Sequence, residues 1–403
     1  MNRTIILFFF ILIIGCDTPD NVKPLGEEYF VKFYGATGNQ QGIAVKATPD
    51  GGFIIGGNSI SEFGGQSDYL LIKVDALGNQ EWLESYDFNG TNSNDFLTDV
   101  LIDGNSFVIA GTSTIGTVDK MVLIRIGEGG GVIENTLIIG EQSNNSFQLN
   151  GISTISSGGY LVTGSITSGE SSQYGKSIVG LVNSDFMIMG NPVFYPSTPS
   201  NQDKEIVFVK GLEVLNSTTD QSNYLFFGYV NSTNGPKLNI YQFNADLDPP
   251  LSAPTPINYN ESKIVDVIKI GETEYKLLSS SDNETYLINV TETPSGYALG
   301  SDQFVRSNRG FINGVSLNYS SSNQFLVSSN VKLENSDITS SSIQESTVSG
   351  LINWQRFFGT ELSYTSGEVI AMADGSVVYT GTAGFKGQQK VFLIKLKSNG
   401  EMK

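Results

Sequence analysis

The sequence predicts an all-β fold, a seven-bladed β-propeller of four-stranded antiparallel blades, and three observations carry that expectation. A unit of about 50 residues recurs seven times, the period of kelch-sized propeller blades. Each unit holds four short runs rich in β-branched and aromatic residues, bounded by Gly, Asn, Ser or Asp-Gly turns. The two ends of the chain carry complementary parts of one such unit.

The clearest copy of the unit reads Gly42-Ile-Ala-Val-Lys-Ala-Thr-Pro-Asp-Gly-Gly-Phe-Ile-Ile-Gly-Gly57 and continues at Asp68-Tyr-Leu-Leu-Ile-Lys-Val-Asp75. Further copies begin at Asp99, Gly151 and Gly367, and degenerate ones pass through Tyr224–Gly228, Tyr275–Ser279 and Phe325–Ser328. Taking Gly57, Gly111, Gly164, Gly228, Ser280, Ser329 and Gly381 as the ends of the second strands gives intervals of 54, 53, 64, 52, 49 and 52 residues. The apolar runs are too short for a helical solenoid. A β-sandwich has no fixed period, whereas seven small sheets around an axis bury both faces of each and leave only short edges.

The fourth strands are marked by Phe30, Trp82 and Trp354, with Tyr34, Tyr86 and Phe358 four residues later on the same strand face. The chain starts with such a fourth strand, Tyr29 to Gly35, and ends after a third strand near Leu396. The N-terminal strand is therefore expected to complete the last blade. The two Trp residues then serve inter-blade packing, the rival reading being a sugar-stacking platform.

Ahead of the repeats lies Arg3, then an apolar run from Thr4 to Gly15 that has the length of a signal-peptide core and is short for a membrane span. It closes on Ile13-Ile14-Gly15-Cys16. That sequence resembles the lipobox of bacterial lipoproteins; an ordinary secretory signal with a chance Cys is the alternative. The resemblance implies cleavage before Cys16 and lipidation of its thiol, so that residues 1–15 are a signal peptide, 16–28 the lipidated Cys and tether, and 29–403 the propeller. Cys16 is the only Cys, so the folded part has no disulfide. The tether from Asp17 to Glu27 reaches at most ~36 Å at about 3.3 Å per residue. Together, lipobox and repeats resemble the seven-bladed propeller lipoproteins of Gram-negative bacteria. This implies a cell-envelope protein attached to the membrane, here the outer membrane, through its lipid.

Charge and residue types narrow the chemistry. With 23 basic and 41 acidic residues the net charge is −18, which gives no basic footprint for nucleic acid. His is absent, which removes Ser-His-Asp and Cys-His catalysis and His-based metal sites. A carboxylate-only hydrolase is left, since two Asp or Glu can cleave a glycoside. No cofactor motif is present. The recurring acids fall in turns, at Asp50-Gly51, Asp103-Gly104 and Asp374-Gly375, where Asp-Gly is expected to supply the positive-φ residues of tight hairpins.

Candidate sites are few. Asp87, Asn89 and Asp95 lie in an oxygen-rich stretch suited to Ca²⁺, though without EF-hand order. Arg306 and Arg309 form a paired-Arg loop able to hold a carboxylate, in a chain with five Arg. Strand alternation puts the connections between second and third strands, and those from a fourth strand to the next first, on one face. These are long at Asn58–Ser67, Ser165–Lys176, Pro196–Lys204 and Asn330–Ser342. Function concentrates on variable loops held by a rigid scaffold. Arg306, Arg309, Tyr174 and Phe63 are therefore the expected contacts for a protein or glycan partner on this loop face, and the opposite face carries tight turns. The expected function is a non-catalytic binding module, with a carboxylate-dependent glycan-active enzyme as the alternative.

Overall fold

The computed structural model describes residues 28–60, 65–90, 93–168, 177–195, 206–215, 222–232, 235–248, 255–257, 262–281, 284–294, 296–320, 324–333 and 336–402. Cys16, Phe63 and Tyr174 lie outside them. Among the described residues, twenty-eight strands form seven four-stranded antiparallel sheets, six of them built from consecutive strands. These are blade 1 (39–86), blade 2 (95–139), blade 3 (146–195), blade 4 (206–257), blade 5 (263–305) and blade 6 (310–358). Blade 7 combines residues 364–396 with Phe30–Tyr34, in the order N-terminal strand, third, second, first.

Phe30 pairs with Lys395 and Tyr34 with Val391, so the N-terminal strand supplies the missing fourth strand, as expected. The apolar residues form seven separate clusters, each made by two adjacent blades. The cluster that closes the ring joins Phe30, Tyr34 and Val391 of blade 7 to Val45, Phe53 and Leu70 of blade 1. Burial between blades is what seals the ring, and the N-terminal strand contributes to it directly.

The aromatic positions of the fourth strands explain themselves at the next blade. A Cβ on Gly78 would touch the Phe30 ring, one on Gly130 the Trp82 ring and one on Gly400 the Trp354 ring. All three glycines sit at positive φ in turns that follow a third strand. Tyr34 Oη donates to Gly78 O (2.7 Å), Tyr86 Oη to Gly130 O (2.6 Å) and Trp354 Nε1 to Ser398 O (2.8 Å). The two Trp residues pack between blades.

Three expectations need correction. Most strands run longer than the short runs read from the sequence, for example Phe53–Ile60 and Ser222–Ser232, so the loops between second and third strands are shorter than expected. The recurring Gly is also not a strand end. In every blade the first strand carries a β-bulge, and the marker residue lies opposite its start: Gly42 faces Gly57, Leu97 faces Gly111, Leu149 faces Gly164, Phe208 faces Gly228 and Ser366 faces Gly381. A Cβ there would meet a first-strand carbonyl, at 1.8 Å from Gln41 O for Gly57 and 2.2 Å from Val207 O for Gly228. The register puts Ser279, and not Ser280, at this position of blade 5.

The Asp-Gly turns also differ in detail. Gly51, Gly104 and Gly375 take positive φ, whereas the Asp residues do not. Asp50 accepts from Gly52 N and from Lys73 Nζ (2.7 Å), and Asp103 from Arg125 Nη2 (2.5 Å) and Tyr160 Oη (2.8 Å). The turn carboxylate therefore also anchors the base at the end of the third strand.

Candidate functional site

The bulges shape the central channel, because an extra residue re-aims the side chains beside it. Two residues on from the residue that faces the marker stand Ala44, Asp99, Gly151, Lys210, Asp266, Ser316 and Glu368 in blades 1 to 7. These residues and the bulged ones line a cavity of about 180 Å³ on the axis. Five charged groups meet there. Lys46 Nζ, from blade 1, lies 2.8 Å from Asp99 Oδ1 and 2.5 Å from Glu368 Oε1, on the two flanking blades. Lys210 Nζ lies 2.8 Å from Asp266 Oδ1.

Each carboxylate of this ring has a second, structural attachment. Glu368 Oε2 accepts from Val45 N (2.8 Å) and Asp266 Oδ2 from Leu317 N (2.9 Å), both across a blade boundary. Asp99 Oδ1 accepts from Val100 N on its own strand (2.8 Å). Neutral side chains continue the stitching: Thr98 Oγ1 donates to Leu149 O (3.0 Å) and Asn150 Nδ2 to Phe208 O (2.8 Å).

Burial alone would lower the Lys46 ammonium, but the Asp99 and Glu368 charges outweigh it and hold its pKa above the ordinary value. Burial pushes Glu368 up to about 7; Asp99 adds to that and Lys46 opposes it. Lys210 is raised by Asp266 against its own burial.

Sequence reasoning missed this ring. Its signal was a charged residue within the first strand, Lys46, Asp99 and Glu368 in blades 1, 2 and 7. The residue type changes from blade to blade, so no motif forms.

The loop face holds the expected sites. Asp87 and Asp95 do come together, and the structure adds Asp68 from the third strand of blade 1; one oxygen of each lies within 4.8 Å of the others. Asp95 is buried and accepts from Phe88 N (2.9 Å) and Ser93 Oγ (3.0 Å). Burial raises the pKa of Asp68 and Asp95, and the neighbouring carboxylates raise them further. Asn89 is exposed on the same loop.

Arg306 and Arg309 are both exposed, on the connection from blade 5 to blade 6. They stack on different rings, Arg306 at 5.6 Å from Phe304 of blade 5 and Arg309 at 4.3 Å from Phe357 of blade 6.

No family model matches the sequence. No curated protein matches it either. Solved structures do. The Dos1 propeller superposes with a TM-score of 0.51 at 8% identity, over 92% of this chain and 96% of that one. An ulvan lyase, described as a new family of polysaccharide lyase, gives 0.53 at 9% identity over 92% and 97%. Prolyl oligopeptidase B from Galerina marginata gives 0.52 at 9% identity, over 91% of this chain and 52% of that one. The chain is a seven-bladed β-propeller. At such identities the likeness carries the fold alone, because propellers host unrelated activities.

Proposed function

We propose that this propeller is a non-catalytic binding module of the cell envelope, held to the membrane by a lipid on Cys16 and engaging its partner through the loop face. The observation that supports it most is the use of the channel charges. Each of the three ring carboxylates pairs with a lysine and accepts a backbone N–H. Such groups hold inner strands in place.

The chain direction fits a tethered module. The N-terminal strand enters beside Lys395, at the end of blade 7 that carries the tight turns. A tether to Cys16 would join the domain on that turn face, which leaves the loop face free to engage a partner. Two acyl chains or more are needed for stable anchoring.

Cys16→Ser tests the anchor. The variant is expected in the soluble fraction with an unchanged melting temperature, and its recovery with washed membranes contradicts the proposal. One observation favours the alternative, a carboxylate-dependent glycan-active enzyme. Glu368, pushed up to about 7, sits beside Asp99, the pattern of an acid poised next to a charged partner. Glycan cleavage by the full chain that is lost in Glu368→Gln would establish that reading in place of ours.

A further inference from the structure

Four arginines lie among the described residues, and two are spent on structure. Arg125 Nη2 donates to Asp103 and to Ser184 O, and Arg356 donates to the carbonyls of Gly400 and Asn399. Arg306 and Arg309 have no carboxylate partner among the described residues; each holds its guanidinium over an aromatic ring, at 5.6 Å from the Phe304 centroid and 4.3 Å from that of Phe357. A guanidinium held over a ring keeps N–H donors available for an anion.

Beside them, Gly310 pairs with Leu333 and Phe311 with Lys332, which brings the Arg309 backbone next to an exposed lysine. Lys332 likewise has no acid partner among the described residues, and Phe311 is 47% and Phe304 40% exposed. The loop-face crown of blades 5 and 6 thus alternates cations with accessible rings, in a chain whose net charge is −18.

We propose that this crown binds a uronate-bearing polysaccharide, a proposal that rests on the binding-module reading above. A sugar carboxylate matches the guanidinium fork with two parallel N–H···O bonds. The apolar C–H face of the pyranose packs on an exposed ring beside it. The two guanidinium platforms belong to different blades, so a small acid meets one of them. A chain with recurring charge meets both, and its second contact gains from effective concentration. An acidic protein would bring a broad negative surface against an acidic domain, whereas a polysaccharide strand touches only the crown.

The test measures binding of the full chain to polygalacturonate at low salt, with galacturonate monomer, dextran and polyglutamate as comparisons. Polygalacturonate is expected to bind at least about tenfold more tightly than the other three, and more weakly as salt rises. Arg306→Glu with Arg309→Glu should weaken binding at least about tenfold at an unchanged melting temperature. Arg306→Lys with Arg309→Lys should lose several-fold, because an ammonium keeps the charge without the planar fork. Absence of polygalacturonate binding, equal binding by the Glu variant, or equally tight polyglutamate binding overturns the proposal. Cleavage of the polymer, read as a fall in viscosity, would instead sink the non-catalytic reading and leave the site standing.

Discussion

Glu368 of the last blade reaches across the closing seam to Lys46 of the first, with Oε1 2.5 Å from Nζ and Oε2 accepting Val45 N at 2.8 Å. The contact lies at the innermost strands, where blades 7 and 1 meet, while the N-terminal strand closes the same seam at the rim. The ring is therefore fastened at both radii, by charge inside and by strand pairing outside.

Lys46→Ala should destabilise the fold more than its size suggests, because it strands Asp99 and Glu368 together. The expected loss is about 2–4 kcal/mol, approaching that of breaking a fully buried pair. The Lys46 side chain is 19% exposed, which keeps it from the upper end. Denaturant unfolding of the single and Lys46→Ala/Glu368→Gln variants checks this. The double variant should recover part of the loss, since it removes one of the two stranded charges.

Glu368 also sets a pH dependence. Its folded value of about 7 stands above the ordinary 4.5, so between those values the folded state holds the proton more firmly than the unfolded chain. Stability from this group is complete below about pH 4.5 and lost as pH rises through about 7. Asp68 and Asp95, also raised, act in the same direction at lower pH. Melting should thus be higher near about pH 5 than near about pH 7.5, and Glu368→Gln should flatten the difference. A melting temperature that climbs across this window contradicts the assignment.

The marker glycines can be tested one at a time. Gly57→Ala places a Cβ 1.8 Å from Gln41 O, against backbone that cannot yield easily. A cost of about 2 kcal/mol or more is expected, in the upper part of the usual overpacking range. Gly131→Ala meets nothing within 4 Å and has no positive φ, so it should change stability by less than about 0.5 kcal/mol. Thermal melts of the two variants give the comparison.

These glycines show why the fold was legible and the site was not. Gly57, Gly111 and Gly164 recur because each first strand bulges against them, so a single backbone requirement wrote the same letter into several blades. Phe30, Trp82 and Trp354 recur because each covers a turn glycine of the next blade. The channel ring has no such constraint. Asp99, Lys210, Asp266 and Glu368 share one position yet differ in sign, since their partners lie on other blades. Asp87 and Asp95 could be read as neighbours because they share a loop. Asp68 joins them only through the pairing of strands.

Binding through the loop face is decided by immobilising the full chain and quantifying what it retains from envelope extract. The comparison variants are Arg306→Glu with Arg309→Glu on the loop face, and Asp50→Asn with Asp103→Asn on the turn face. The loop-face variant is expected to lose the retained component at unchanged stability. The turn-face variant should melt lower, having lost its contacts to Lys73 and Arg125, and still retain it. Loss of the component by the turn-face variant alone, with full retention by the loop-face variant, would show that the propeller works from its other side.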